Sequence, residues 1–414
     1  MFKLLRYVPC IIYNYTKYVT GLQPYVPTVK NICSALTEMN IFYVKFFQWF
    51  TETVQDNELF DYFKQFKTNV SYRSADIDYA AIDLLKSEVA AQGHHLVLDL
   101  IQPMNSGTVA LVFKGQFNNQ PVVLKVLRKN IRGELETIYS HYKWFLWIMA
   151  WVRPDIKMDF LKIINDTQET CFAQLDFRKE AENINLFAKK FKKNKNIIIP
   201  TVHWSNDNVI LMDFLDSHPI DTWTVSDYHT YAKRFTYFLM SSLFIKDIYH
   251  GDLHMGNMVF MKDHRIGLID FGIVGQLNID NQNFIFELFH SLGKNDYEAV
   301  VALYMDYVLT TTDVPEAGKL REIIIAEAIH ELKRTNNTDI YMLRHSHLLI
   351  LFHTLHKHGL SLEKNMNVFL YSVLSMIDTM KRLMSQESES HLINIFERLN
   401  SDYSDDSDDS DMLS

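Results

Sequence analysis

The stretch His250-Gly251-Asp252-Leu253-His254-Met255-Gly256-Asn257, followed by a strand-like segment and then Asp270-Phe271-Gly272, decides how this chain is read. It sets two carboxylates and a carboxamide in order, with five residues from Asp252 to Asn257 and thirteen from Asn257 to Asp270. The chain has only 13 glycines in 414 residues, yet Gly251, Gly256, Gly267, Gly272 and Gly275 crowd into this one region. A glycine-poor chain spends glycine where the backbone needs positive φ or must approach another group closely.

Hard oxygen donors at this spacing suit a magnesium-bound phosphate. In protein kinases a catalytic-loop Asp orients the attacking group, while a downstream Asn and the Asp of an Asp-Phe-Gly triplet hold Mg²⁺. The triplet alone is a weak signal; the triplet preceded by Asp and Asn at the expected steps is a strong one. On this pattern Asp252 is the candidate catalytic residue, and Asn257 and Asp270 are the candidate metal ligands. His250 and His254 are expected to brace the loop.

Working upstream, three strands joined by turns are expected at Leu96–Ile101, Val109–Phe113 and Pro121–Val126. Lys125 in the third is the candidate cation for ATP phosphates, and Glu180 on a following helix is its candidate orienting acid. The turn Pro103–Thr108 is the expected phosphate-covering loop, with Ser106, Gly107 and Thr108 as nucleotide contacts. Helices are expected over 133–152 and 155–193, and strands near Thr201–Trp204 and Val209–Phe214. Leu211–Leu215 has the character of a hinge whose backbone, at Met212 and Phe214, would hold the adenine edge. Ser226–Ile248 reads as one long helix, Met258–Met261 with Ile266–Ile269 as a hairpin, and residues 281–383 as helical.

The fold class expected is α+β: a bilobal protein-kinase-like fold with a small antiparallel-sheet N-lobe, a mostly helical C-lobe and an N-terminal helical extension. The expected boundaries are an extension over 1–92, an N-lobe over 93–215, a C-lobe over 216–385 and an acidic tail over 386–414. The tail reads Asp402-Tyr403-Ser404-Asp405-Asp406-Ser407 and continues in kind, too polar to bury a core. Few residues separate Gly272 from the next helix and no Ala-Pro-Glu sequence follows, which counts against a protein substrate docking as in ordinary protein kinases.

A net charge of −9 argues against general nucleic-acid binding. Cys10, Cys33 and Cys171 have no paired spacing and point to a reducing intracellular compartment, cytoplasmic or peripheral at a membrane. His345, His347, His353, His356 and His358 lack the carboxylate pattern of a zinc site. The first 37 residues hold no Asp or Glu but carry Lys3, Arg6, Lys17 and Lys30 among many aromatic and aliphatic residues. Three readings stand open for this segment: contact with a membrane surface, an organelle transit peptide, or a helix packed on the body. Pro9, Pro24 and Pro27 interrupt its helical stripe.

Together these residues resemble the UbiB/ADCK (ABC1) family of atypical kinases, over about residues 40 to 380. Tyr249 to Asn257 resembles the family's F-H-A-D-x-H-P-G-N. Gln174-Leu175-Asp176-Phe177-Arg178-Lys179-Glu180-Ala181-Glu182-Asn183 resembles E-L-D-Y-x-x-E-A-x-N. Val44-Lys45-Phe46-Phe47-Gln48 resembles K-x-G-Q, and Pro103 to Ala110 its Ala-rich P-loop substitute. Phe47 stands where the family has glycine, Gln174 where it has Glu, and Asn105 and Gly107 where it has alanines.

The resemblance implies ATP and Mg²⁺ as cofactors and a regulatory K-x-G-Q helix (Lys45, Gln48) with Asp176 as partner to Lys45. It implies phosphoryl transfer to water or to a small-molecule or lipid acceptor, in support of isoprenoid-quinone or lipid metabolism at membranes. Two other expectations are a nucleotide-binding pseudokinase scaffold and a phosphotransferase for a soluble small molecule. The latter leaves Lys45, Gln48 and Asp176 to Asn183 without a role.

Overall fold

The computed structural model describes residues 2–44, 70–152, 171–293, 296–311 and 317–334, with single positions 47, 58, 59, 62, 63, 168, 354, 358, 369, 372, 373, 375, 376, 379, 380 and 382–384. The expected regulatory residues Lys45 and Gln48 and the acidic tail lie outside the described residues. So do His345, His347, His353 and His356. The chain divides into two compact units: residues 1–179 with 202–214, and residues 180–201 with 215–414. The fold is mixed α+β, with an N-terminal helical extension, a small antiparallel sheet and a largely helical C-terminal region.

The first unit opens with α1 (Phe2–Val19) and α2 (Tyr25–Met39), joined through a turn at Gly21, where φ is +74°. α1 continues through Pro9, in contrast to the interruption expected there. Pro9 is the eighth residue of α1, past the first-turn amides that lack partners, so it costs the helix one i→i−4 bond while the helix continues on either side. After α3 (Tyr79–Ala91), capped by the Asp78 side chain on the Ala81 amide at 3.2 Å, the chain enters the sheet. Its strands are β1 (Leu96–Leu98), β2 (Asn105–Ser106), β3 (Ala110–Phe117) and β4 (Gln120–Leu127). Helix α4 (Ile131–Val152) and the start of α5 (Phe177–Lys190) follow, and α5 carries the chain into the second unit.

The strands expected at 201–204 and 209–214 belong to the same sheet. β5 (Ile197–Ile198) lies in the second unit, whereas β6 (Val202–Ser205) and β7 (Val209–Asp213) return to the first. The sheet order is β1-β3-β4-β7-β6, with β2 added to β3 and every pair antiparallel. The β3–β4 connection is Asn118-Asn119 with φ of 49° and 65°, a tight hairpin turn in which asparagine tolerates the left-handed conformation. Alternation sorts the sheet's faces. Val122, Leu124 and Val126 of β4 join Leu111, Phe113, Val209 and Leu211 against Ile82, Leu85 and Val89 of α3. Lys125, one residue out of phase, takes the opposite face.

Two expectations for this unit need correction. The segment Pro103–Thr108 is not merely a turn: β2 pairs with Val112 and Leu111 of β3. Helix 155–193 is not continuous over its described part, because a turn at Gln174–Leu175 precedes α5. There the Asp176 carboxylate accepts the Arg178 amide at 3.2 Å, a local bond that favours starting a new helix.

The second unit contains α6 (Val225–Met240), β8 (Ile248–His250), β9 (Met258–Phe260), β10 (Ile266–Leu268) and β11 (Val274–Gln276). The helices α7 (Ile279–Gly293), α8 (Tyr297–Thr311) and α9 (Ala317–Arg334) follow. β9 and β10 form the expected hairpin, and β5 adds to β10 in parallel. β8 pairs with β11, a two-stranded ladder the sequence pattern did not reveal. The helix expected to reach Ile248 ends at Met240, followed by a single π turn, Ser241–Ile245. Ser242 Oγ donates to the Ile248 carbonyl at 2.5 Å and Asp247 adopts φ +54°, so the chain turns to begin β8. Thr224 and Asp227 start α6 with a reciprocal capping box.

The core of the first unit gives a direct test. Leu85 has no exposed surface. Leu85→Ala is expected to cost about 2–5 kcal/mol, read as a lower denaturant midpoint for the unfolding transition.

Candidate functional site

In the second unit the residues around the Asp-Phe-Gly triplet form one hydrogen-bonded framework. His250 ends β8, is 1% exposed, and donates from Nε2 to the Asp270 carbonyl. Its Nδ1 accepts the Asp252 backbone N–H at 3.2 Å. Accepting on one nitrogen and donating from the other fixes the neutral tautomer. Burial lowers the pKa of the ring in the same sense, against smaller opposing pulls from Asp270 and Asp252. One neutral imidazole thus holds the backbone of both candidate aspartates.

The triplet is held from α5 as well. Glu180, 3% exposed, accepts the Phe271 N–H on Oε1 at 3.1 Å. Asn183, three residues on along the same helix, donates from Nδ2 to the Phe271 carbonyl at 2.8 Å. The helical step of three puts both side chains on one face, so the N–H and the carbonyl of a single residue are both gripped. Phe271 is fully buried, 5.2 Å from the Phe187 ring and 5.4 Å from the His250 ring. Asp270 Oδ1 accepts the Gly272 N–H at 3.0 Å.

The catalytic-loop side is equally constrained. Asn257 Nδ2 donates to the Asp252 carbonyl at 2.8 Å, which leaves Oδ1 as the oxygen suited to a cation. His254 Nδ1 accepts the Gly256 N–H at 3.0 Å, and its Nε2 lies 3.7 Å from Asp252 Oδ1. Thr379, fully buried, donates to the Leu253 carbonyl at 3.0 Å. The glycines serve close approach. A Cβ on Gly251 would sit 2.2 Å from Ile273 Cγ2, and one on Gly275 would sit 2.2 Å from the Tyr249 ring.

The donor set fits Mg²⁺. One carboxylate and one carboxamide are what a hard cation takes from protein when phosphate and water oxygens complete its shell. Among the described residues, no group of three or more His, Cys, Asp and Glu side chains could hold a metal by itself. His358 pairs with Glu327 at 2.8 Å.

In the first unit, Lys125 is 8% exposed and sits opposite Val112 and Ile210 in the sheet, with Nζ 5.3 Å from the Phe177 ring centre. Met212 lies in β7 opposite Val123, and the Phe214 N–H donates to the Pro121 carbonyl at 3.2 Å. Ser106 and Thr108 are buried, and Gly107 donates its N–H to the Ala110 carbonyl at 2.9 Å.

Sequence reasoning missed the residue that organises this loop. Arg128, 3% exposed, donates to the Gly107 carbonyl (2.9 Å), Ser106 Oγ (2.8 Å), the Ser71 carbonyl (3.1 Å) and Asp76 Oδ2 (2.9 Å). The Ser106 hydroxyl in turn donates to the Val70 carbonyl at 2.5 Å. That hydroxyl is therefore committed inward, and the C-terminal end of β2 is held by Arg128 and by the Val70 carbonyl. The only hint in the sequence was an arginine three residues beyond Lys125 at the end of an apolar strand.

Comparison with known proteins places this framework. The family model for the ABC1 atypical kinase-like domain matches residues 80–304. Among curated proteins, "Probable protein kinase UbiB" of Blochmanniella pennsylvanica is 24% identical over 218 residues, covering 49% of this chain and 40% of that protein. The protein of the same description from Vibrio vulnificus is 26% identical over 235 residues, covering 53% and 43%. The chain therefore spans about two fifths of the length of these relatives. The solved complex of Rv3197 with erythromycin from Mycobacterium tuberculosis aligns at 19% identity and a TM-score of 0.43, over 68% of this chain and 75% of that one. The fold and the matched domain define a kinase-like protein of the atypical class. The chain belongs to the ABC1 atypical kinase-like family.

Two predictions follow the geometry. The lowered pKa of His250 means that the unfolded chain binds the extra proton more readily than the folded one. Stability due to the ring is thus fully present above its ordinary value of about 6.5 and is lost as pH falls through the window below it. Denaturation midpoints across pH should show this slope in the parent chain, and His250→Gln should be less stable at neutral pH with a flatter slope. The close approach at Gly251 makes a second case. Gly251→Ala, although it restores the residue usual in the resembling motif, should destabilise by about 1–3 kcal/mol through overpacking. Adding Ile273→Ala should recover part of that loss in the same thermal or denaturant assay.

Proposed function

We propose that this chain binds ATP with Mg²⁺ and transfers its terminal phosphoryl group to water or to a small-molecule or lipid acceptor. The observation that carries the reading is the shared anchoring of Asp252 and Asp270 to one buried neutral histidine, with Asn257 bonded back to Asp252. Phosphoryl transfer needs little covalent help from protein and much positioning, so rigidly held oxygens are what the chemistry asks for.

In this reading Lys125 takes negative charge from the phosphates and Glu180 fixes the triplet. Asn257 and Asp270 hold Mg²⁺, which when bound neutralises phosphate oxygens. Asp252 orients the attacking hydroxyl or water. Ser106, Gly107 and Thr108 belong to the loop over the phosphates, and Met212 and Phe214 offer backbone groups to adenine. Lys45 and Gln48, with Asp176, form the regulatory element. An isoprenoid or other lipid acceptor agrees with the family, and the absence of a protein-kinase activation segment favours a small acceptor over a protein.

A second reading has one observation in its favour. Phe47, at the position of the family's glycine, is 5% exposed and packs with Cys33, Leu59 and Phe63. A ring buried there has replaced a signature residue by packing, as a nucleotide-binding scaffold without turnover would tolerate.

Steady-state ATP hydrolysis with and without Mg²⁺, and with isoprenoid phenols or lipid vesicles added, tests the first reading. Asp252→Asn and Asp270→Asn should each lower turnover by about a hundredfold or more, and Asp270→Asn should also weaken Mg²⁺ dependence. Equal turnover in both variants and the parent would sink the enzyme reading. ATP binding without Mg²⁺-dependent turnover would establish the scaffold.

A further inference from the structure

At the C-terminal end of α5, five lysines crowd into seven residues: Lys189, Lys190, Lys192, Lys193 and Lys195. All but Lys190 are exposed. Their backbone is fixed. Phe191, in their midst, is buried, with its ring 5.8 Å from that of Phe187 and 5.1 Å from that of Phe238 on α6. The Asn194 N–H donates to the Phe191 carbonyl at 2.9 Å, and Asn194 Oδ1 accepts the N–H groups of Asn196 (2.9 Å) and Ile197 (3.0 Å) at the entry to β5. The helix end accounts for two of the lysines, since Lys189 and Lys190 complement the carbonyls of the last turn and Lys190 donates to the Lys246 carbonyl. It does not account for the three beyond the helix. Among the described residues no carboxylate pairs with Lys189, Lys192 or Lys195, and like charges three and four residues apart repel. A cationic ridge on a chain of net charge −9 suits a polyanion.

The same chain carries the complement. Six aspartates fall within residues 402–411, and no Lys or Arg follows Arg398. The segment leading to them starts near the ridge, in the same compact unit. Leu383 and Met384 are buried, and one turn earlier Met380 Sδ lies 3.4 Å from Thr236 Oγ1 of α6. Thr236 is two residues from Phe238, which holds Phe191. Ridge and tether are thus fastened to one turn of a helix about 10–12 Å across. Eighteen residues separate Met384 from Asp402, and a chain of that length can span roughly 60 Å.

We infer that the acidic segment 402–411 docks on the lysine ridge 189–195 of its own chain and closes that ridge to other polyanions. Opposite charge makes the two surfaces complementary, and the tether decides among anionic partners. A linked segment meets its site at an effective concentration on the order of millimolar. Nucleic acid, an anionic membrane or the tail of a second copy would each have to displace it. The docking needs no nucleotide, and its measurement contains no ATP.

The test is zero-length carbodiimide cross-linking of the full chain at low salt, read by mass spectrometry. Links from Lys189, Lys192 or Lys195 to aspartates of 402–411 are expected within single molecules. They should disappear at about 1 M salt, where the screening length falls to about 3 Å. The Lys30–Glu58 pair, 2.8 Å apart, is the control for reactivity at low salt. A second readout leaves the ridge intact. Asp→Asn at all six positions of 402–411 should raise the affinity of the full chain for heparin on the order of tenfold or more. Adding Lys189→Gln, Lys192→Gln and Lys195→Gln should cancel that gain with an unchanged thermal midpoint, since all three lysines are exposed. Tail links that fail to form while Lys30 and Glu58 react, or that join only isotopically distinct copies, would overturn the docking. So would a heparin affinity that the asparagine variant leaves unchanged. Binding of phosphatidylserine vesicles through these lysines, with tail links absent, would assign the ridge to a membrane instead.

Discussion

The second unit depends on one imidazole ring staying uncharged. His250 has no solvent to help it carry a proton, and its two nitrogens are used in opposite senses, one accepting from Asp252 and one donating to Asp270. Protonation would turn the acceptor into a donor facing an N–H. A buried donor facing a donor loses its bond and gains an unsatisfied group, which is worse than a missing bond alone. The ring thus does more than fill space between β8 and the triplet. It keeps the backbones of two carboxylate-bearing residues in fixed relation, and Glu180 and Asn183 repeat the strategy one peptide further on.

A pattern runs through these contacts. The side chains with the most chemical potential, Asp252, Asn257 and Asp270, are positioned through main-chain bonds made mainly by neighbours. Asp270 Oδ1 also accepts the Gly272 amide, and Asp252 Oδ1 lies 3.7 Å from His254 Nε2. Arg128 applies the same logic in the first unit, where its five-donor fork satisfies carbonyls of separate segments that have no secondary structure to satisfy them. A guanidinium this buried retains its charge partner in Asp76, although burial still pulls its pKa down. Irregular backbone near the candidate site is satisfied by buried polar side chains: Arg128 in the first unit, and His250, Glu180 and Thr379 in the second.

Much of this was legible in the sequence, and the boundary of legibility has physical causes. The β3–β4 hairpin and the β9–β10 hairpin were readable because alternation and turn residues are local signals. The β8–β11 ladder was not, because three-residue strands carry too little pattern and pair across an intervening 23 residues of loop and hairpin. The spacing of Asp252, Asn257 and Asp270 announced the loop itself. Which groups hold that loop was hidden, since Asn183, Arg128 and Thr379 act over separations of 88, 22 and 126 residues. Such contacts leave no periodic trace. Ser106 shows the converse: a residue type that suits phosphate contact carries a hydroxyl that the fold has turned inward.

The glycines separate two explanations that the sequence left joined. Positive φ and close approach both favour glycine, yet in this chain the left-handed positions between 118 and 264 are filled by Asn118, Asn119, Asn130, Asp247 and His264. Only Gly21 and Gly93 use positive φ among the described glycines. Gly251, Gly267 and Gly275 instead sit where a Cβ would come within 2.2 to 2.4 Å of Ile273, Leu215 and Tyr249. The turning of the chain has been assigned to asparagine, aspartate and histidine, which tolerate the left-handed region at modest cost. Around Asp252 and Asp270 glycine serves close approach instead. That division accounts for the glycines beside Asp252 and Asp270: at Gly251 and Gly275 a methyl would collide with Ile273 and Tyr249 and push the paired strands β8 and β11 apart.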